Sequence, residues 1–127
     1  LPDYNVKKGT AFHAGPDGSR HLHVVVSDPD STGHVLILNM STGITLPTDG
    51  DGYCVLSPGE HPFIKHQTII RYSKARDYCV STIIAAMRVG SFHPAPDVSA
   101  TLLKKIQTAC VDNPSLEERY YKYFQYF

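Results

Sequence analysis

Tryptophan is absent from this chain, methionine occurs twice and cysteine only three times. The cysteines, Cys54, Cys79 and Cys110, are odd in number and far apart, with no C-x-x-C pair. That excludes a disulfide framework and a zinc knuckle, and it points to a reducing cytoplasm. Net charge is missing as well, because 12 Lys and Arg cancel 12 Asp and Glu. No overall field draws the protein to nucleic acid or membrane, so any nucleic-acid contact has to come from a local patch. Long apolar runs are also lacking. The longest, residues 79–87, is interrupted by Ser81 and Thr82 and is too short to span a bilayer. The first residues show no basic stretch followed by an apolar one, so no secretory leader is expected. Apolar residues make up 42% and charged residues 19% of 127 positions, which excludes disorder and fits a single domain with one modest core.

Histidine and tyrosine are what the chain has in quantity. His21 and His23 alternate on the apolar run His21-Leu22-His23-Val24-Val25-Val26, and His61 and His66 frame His61-Pro62-Phe63-Ile64-Lys65-His66. Imidazole titrates nearest neutrality, so such clusters suit proton transfer, phosphate contact or metal ligation. On a strand, His21 and His23 share a face with Val25 and Ser27, and Leu22, Val24 and Val26 form the core face. Both imidazoles then line a groove or sit as surface histidines. A four-histidine metal site lacks support from any H-E-x-x-H, C-x-x-C or carboxylate pair, so no metal and no cofactor is assigned. The plainer reading of the 59–66 segment is a turn, with Phe63 and Ile64 plugging the interior and His66 bonded to backbone.

The first half reads as β structure over residues 9–14, 20–27, 34–40, 53–56 and 68–72. Turn formers at Gly15-Pro16-Asp17-Gly18, residues 27–33 and residues 45–52 separate the strands. Residues 75–87 fit a helix or a strand, and residues 91–96 read as a proline-rich break. Asp97 or Ser99 can cap a helix over residues 100–110, where Leu102, Leu103, Ile106 and Cys110 fall on one face. Ser115-Leu116-Glu117-Glu118 matches a capping box for a last helix through Tyr126. The expectation is one α+β domain over residues 1–127, a small antiparallel β-barrel at about 5–73 with C-terminal helices at about 74–127. Lys65, Arg71, Lys74 and Arg76 gather near Tyr72 and Tyr78, a basic and aromatic strip suited to single-stranded RNA or simply a solvated edge. Tyr120, Tyr121, Tyr123, Phe124 and Phe127 exceed what a small core needs, so part of this set is expected to face a partner.

The order Gly9-Thr10-Ala11-Phe12, Gly15-Pro16-Asp17-Gly18-Ser19, Arg20-His21-Leu22-His23-Val24-Val25-Val26-Ser27 and Val35-Ile37-Leu38 running into Ser41-Thr42 resembles the PemK/MazF toxins of type II toxin–antitoxin systems. The likeness covers about the first seventy residues. In place of the family's Arg-Pro stands Arg20-His21-Leu22 or His21-Leu22, and the family's Thr-Ser pair is reversed as Ser41-Thr42. The resemblance implies an SH3-like barrel and a cytoplasmic endoribonuclease that cuts single-stranded RNA without a metal. It implies a cognate antitoxin, with a homodimer as a further partner. Its counterpart arginine, Arg20, would meet the phosphorane, and Ser41 and Thr42 would donate to a phosphate oxygen; Lys65 and Arg71, from the basic strip and not from the resemblance, are the candidates to hold RNA. Acid and base would come from the histidine clusters, His21 and His23 or His61 and His66, the second of which lies outside the resemblance. A different class of function stays open beside it: a non-catalytic SH3-like interaction module.

Overall fold

The computed structural model describes residues 4–15, 20–42 and 54–127. The turn formers at 16–18 and the loop at 45–52 lie outside these residues. Six strands are present: β1 (Ala11–Ala14), β2 (His21–Val25), β3 (His34–Thr42), β4 (Val55–Leu56), β5 (Thr68–Cys79) and β6 (His93–Ala95). Helix α1 covers Val80–Arg88, α2 covers Ala100–Val111, and a 3-10 helix covers Glu118–Tyr126. The strands form one antiparallel sheet in the order β4-β5-β3-β2-β1-β6, curled into a half-barrel. The α+β class is therefore as the sequence implies. Its strands do not close into a full ring, since β4 and β6 share no ladder among the described residues.

Strand alternation sends apolar side chains to both faces of the sheet, and helices cover both. Leu22, Val24, Leu36, Leu38, Met40, Ile70 and Tyr72 pack in the larger cluster, with Leu102, Leu103, Ile106 and Cys110 of α2. The Tyr72 hydroxyl donates to the Ile106 carbonyl at 2.9 Å, tying β5 to that helix. Phe12, Val25, Val35 and Ile37 form a smaller cluster with Ile83 and Met87, one turn apart on α1.

Residues 75–87 are both strand and helix. β5 pairs with β3 as far as His34–Cys79, and the Val80 N–H then bonds the Gly33 carbonyl at 2.8 Å, where the chain turns into α1. Gly33 holds φ +81°, a conformation that glycine reaches without strain. Residues 93–95, read from sequence as a break, are a strand instead. Pro94 is tolerated there because β6 is an edge and needs no donor on its outer side.

Ser99, the second of the two cap residues considered, is the one used: its hydroxyl accepts the Leu102 N–H at 3.1 Å. The capping box at 115–118 does not form. Asn113 Oδ1 takes the Ser115 N–H at 2.9 Å, and the helix begins at Glu118 without a side-chain cap. Its three residues per turn place Tyr120 and Tyr123 on one side, and both are buried in the larger cluster. Phe124 and Phe127 also pack on it, which leaves Tyr121 as the large exposed ring of this element. The aromatic surplus is therefore mostly core.

Candidate functional site

The run Arg20-His21-Leu22-His23 enters β2, and alternation divides it between the two faces. His21 and His23 line a groove of about 410 Å³ on the α1 side, together with Phe12, Asn39, Lys74, Arg76, Tyr78 and Phe92. Arg20 and Leu22 line a cavity of about 190 Å³ on the other side, with His13, Thr42, Phe63 and Thr68. His21 is common to both linings. The two hollows thus meet at the start of β2.

His23 is held from two directions. Its Nδ1 lies 2.9 Å from the His21 carbonyl, which can only accept, so Nδ1 carries the hydrogen and Nε2 keeps the lone pair. Its ring stacks on Phe12 at 5.3 Å and 3°, and Phe12 in turn stacks on Phe92 at 4.5 Å and 16°. Burial lowers the His23 pKa from its ordinary 6.5; the His21 carbonyl opposes the shift, and the His21 and His13 rings add to it. An oriented, neutral imidazole with a lone pair at Nε2 is what a general base requires.

A bulge in β5 shapes the opposite wall. Ile37 pairs with Arg76 and Asn39 with Arg71, so Leu38 alone faces the stretch 72–75. Tyr72 and Ala75 stay buried while Ser73 and Lys74 are pushed outward. Lys74 and Arg76 therefore both reach the groove, with Tyr78 beyond them.

In the smaller cavity, His13 has its pKa lowered by burial first, then by the nearby His61, Arg20 and His93. The Arg20 guanidinium and the His13, His61 and His93 imidazoles converge here at the meeting of β1, β2 and β6. Thr42 shares this cavity with Arg20, whereas Ser41 points the other way and donates to Asn39 Oδ1 at 3.4 Å. Alternation thus separates the Ser41-Thr42 pair.

His61 lies apart from His66. It is 2% exposed, its Nε2 sits 2.6 Å from the Pro96 carbonyl, and its Nδ1 accepts the Phe63 N–H at 3.2 Å. The residues after β4 are thereby fastened to the end of β6, across the gap that no ladder closes. It is His61, not His66, that bonds backbone through its ring. Ile64 is buried as a plug would be, but Phe63 is half exposed and meets His13 edge-on at 4.8 Å. Lys65 and His66 are exposed and line neither hollow. Arg71 stands half-buried opposite Asn39.

Sequence reasoning did not single out Phe12, Asn39, Phe92 or His13 as site residues. Phe12 and Asn39 are register partners of His23 and needed the pairing to be known. Phe92 precedes a strand that composition had hidden. Among the described residues no group of three or more His, Cys, Asp or Glu converges as metal ligands would, and no helix is long and apolar enough to cross a membrane.

No family model and no curated protein matches the chain. In structure it is similar to an endoribonuclease in complex with its cognate antitoxin from a mycobacterial species. That likeness has a TM-score of 0.54 at 14% identity and covers 84% of this chain and 92% of the other. At such identity it establishes a shared fold.

Proposed function

We propose that this chain is the toxin of a toxin–antitoxin pair, an SH3-like, metal-independent endoribonuclease acting on single-stranded RNA in the cytoplasm. The observation that carries the reading is His21, common to the linings of two hollows, one with an imidazole oriented by a backbone carbonyl and one with an arginine and threonine hydroxyls. An RNA strand lying over the start of β2 touches both.

The chemistry follows from the residue types. His23 Nε2 takes the proton of a 2′-hydroxyl, whose oxygen bonds to the adjacent phosphorus. His21, as imidazolium, protonates the departing 5′-oxygen while the P–O5′ bond breaks. The products are a 2′,3′-cyclic phosphate and a 5′-hydroxyl, and the two histidines exchange protonation states. Arg20 offers two parallel N–H donors to the phosphorane oxygens and the Thr42 hydroxyl a third. His61 is left out of this scheme because both of its ring nitrogens are committed to backbone. A cognate antitoxin silences the enzyme in this reading by covering the basic groove, and a second copy of the chain is a further partner.

The test is cleavage of end-labelled single-stranded RNA in the presence of EDTA. Wild type is expected to cut, leaving cyclic-phosphate ends. His23→Asn, which retains an N–H for the His21 carbonyl but offers no base, should lose a factor of about 100 or more. Intact RNA with folded wild type, or undiminished cutting by both His23→Asn and Arg20→Ala, overturns the proposal.

A further inference from the structure

We infer that the groove on the α1 side is a nucleobase subsite, separate from the phosphate-binding cavity at Arg20. The inference rests on the RNA-cleaving reading and specifies how the strand is held. An enzyme working on single strands can use the faces of unstacked bases, and aromatic side chains are the groups that hold them.

The groove has the three parts that such a site needs. The first is a rigid aromatic platform. Phe92 is backed by Phe12 at 4.5 Å, and Tyr78, 38% exposed, stands 6.4 Å from Phe92 at 59°, so the two rings form an open corner. The second is a polar group to meet a base edge. Asn39 stands in the sheet between His23 on β2 and Arg71 on β5. Its Oδ1 accepts the Ser41 hydroxyl at 3.4 Å, which leaves the amide N–H groups as the donors it can offer to the ring acceptors of a base. The third is positive charge for the phosphates on either side of the base. Lys74 and Arg76 are exposed on the lining, and among the described lining residues none is acidic. The volume, about 410 Å³, falls in the range of small-molecule pockets.

An apolar peptide would use the same rings and have no need of the two cations. A phosphate alone would use the cations and have no need of the rings. A nucleotide uses both, with Asn39 besides.

The test measures binding, not cutting. A fluorescent 2′-O-methyl oligoribonucleotide lacks the nucleophilic hydroxyl and stays intact, and a partner of equal length carries abasic sugars at its internal positions. Wild type should bind the complete strand about tenfold more tightly than the abasic one. Tyr78→Ala, an exposed position that leaves the core untouched, and Phe92→Leu should each abolish most of this difference and leave abasic affinity and its salt slope unchanged. Lys74→Ala should weaken both strands alike and flatten the salt slope. Equal binding of the two strands by wild type, or a base-dependent difference that survives both ring substitutions, overturns the inference. Base-dependent binding together with failure to cleave RNA refutes the enzyme and leaves the subsite standing.

Discussion

Replacing His61 by Ala separates a structural histidine from a reacting one. The ring is 2% exposed and makes two hydrogen bonds, Nε2 to the Pro96 carbonyl at 2.6 Å and Nδ1 from the Phe63 N–H at 3.2 Å. An amide N–H can only donate and a carbonyl can only accept, so the pair of bonds selects the Nε2–H tautomer. Truncation to Ala leaves both backbone groups without the ring and opens a void between the β4–β5 connection and β6. Loss of such bonds at a buried site costs about 1–3 kcal/mol, and the lost packing brings the total to about 3 kcal/mol. For a domain of this size that lowers the melting temperature by about 10 °C. The exposed His66→Ala should melt within about 2 °C of wild type, since surface changes are usually worth less than 0.5 kcal/mol. Thermal unfolding followed by circular dichroism, beside RNA cleavage well below the transition, decides the matter. His61→Ala that melts with wild type yet no longer cuts RNA would refute the reasoning and return His61 to the chemistry.

Other expectations are equally direct. Of the three thiols, Cys79 is half-buried with its pKa lowered by the Ser81 hydroxyl, whereas Cys54 is buried and raised, and burial pushes Cys110 up to about 12. A thiol reagent should therefore label one cysteine rapidly in the native state, and two or more fast labels would contradict that. Tyr123→Phe removes the 2.7 Å bond from its hydroxyl to Asp77 Oδ2 and should cost about 1–2 kcal/mol in urea unfolding; no change would mean that water replaces the hydroxyl at no cost. His13 and His23 both have pKa values lowered from 6.5. As the pH falls below that value the unfolded chain takes up protons that the folded chain does not, so the urea midpoint should fall between pH 7.5 and 5.5, and a flat midpoint would count against it.

Elements with a strong local signature were legible before the fold was known. Val-rich 20–27 and the one-sided pattern Leu102, Leu103, Ile106 and Cys110 required nothing beyond periodicity, and residue type narrowed the cap to Asp97 or Ser99, of which the structure uses Ser99. What stayed hidden depended on neighbours distant in sequence. Residues 68–72 look like a whole strand, yet β5 runs to Cys79 because β3 supplies partners as far as His34. Pro94 disguises a strand that only the free edge beside β1 makes possible. Ser115 has the residue types of a capping box, but Asn113 takes its N–H first.

The same distinction governs the site. Adjacency in sequence suggested that Arg20, His21 and His23 work side by side, and that Ser41 and Thr42 act as a pair. A strand turns neighbours to opposite faces, so Arg20 and Thr42 line one hollow, and His23 and Asn39 the other. His21 alone borders both, because it opens β2, opposite Ala14 at the far end of β1. It follows that His21 couples two binding events that alternation would otherwise keep apart. Substituting it should weaken the contribution of Arg20 and of His23 together. The double substitutions His21→Ala with Arg20→Ala, and His21→Ala with His23→Asn, should each fall short of the product of their single effects on RNA cleavage. Strict multiplication in both pairs would mean that the two hollows act independently and that their meeting at His21 has no consequence for catalysis.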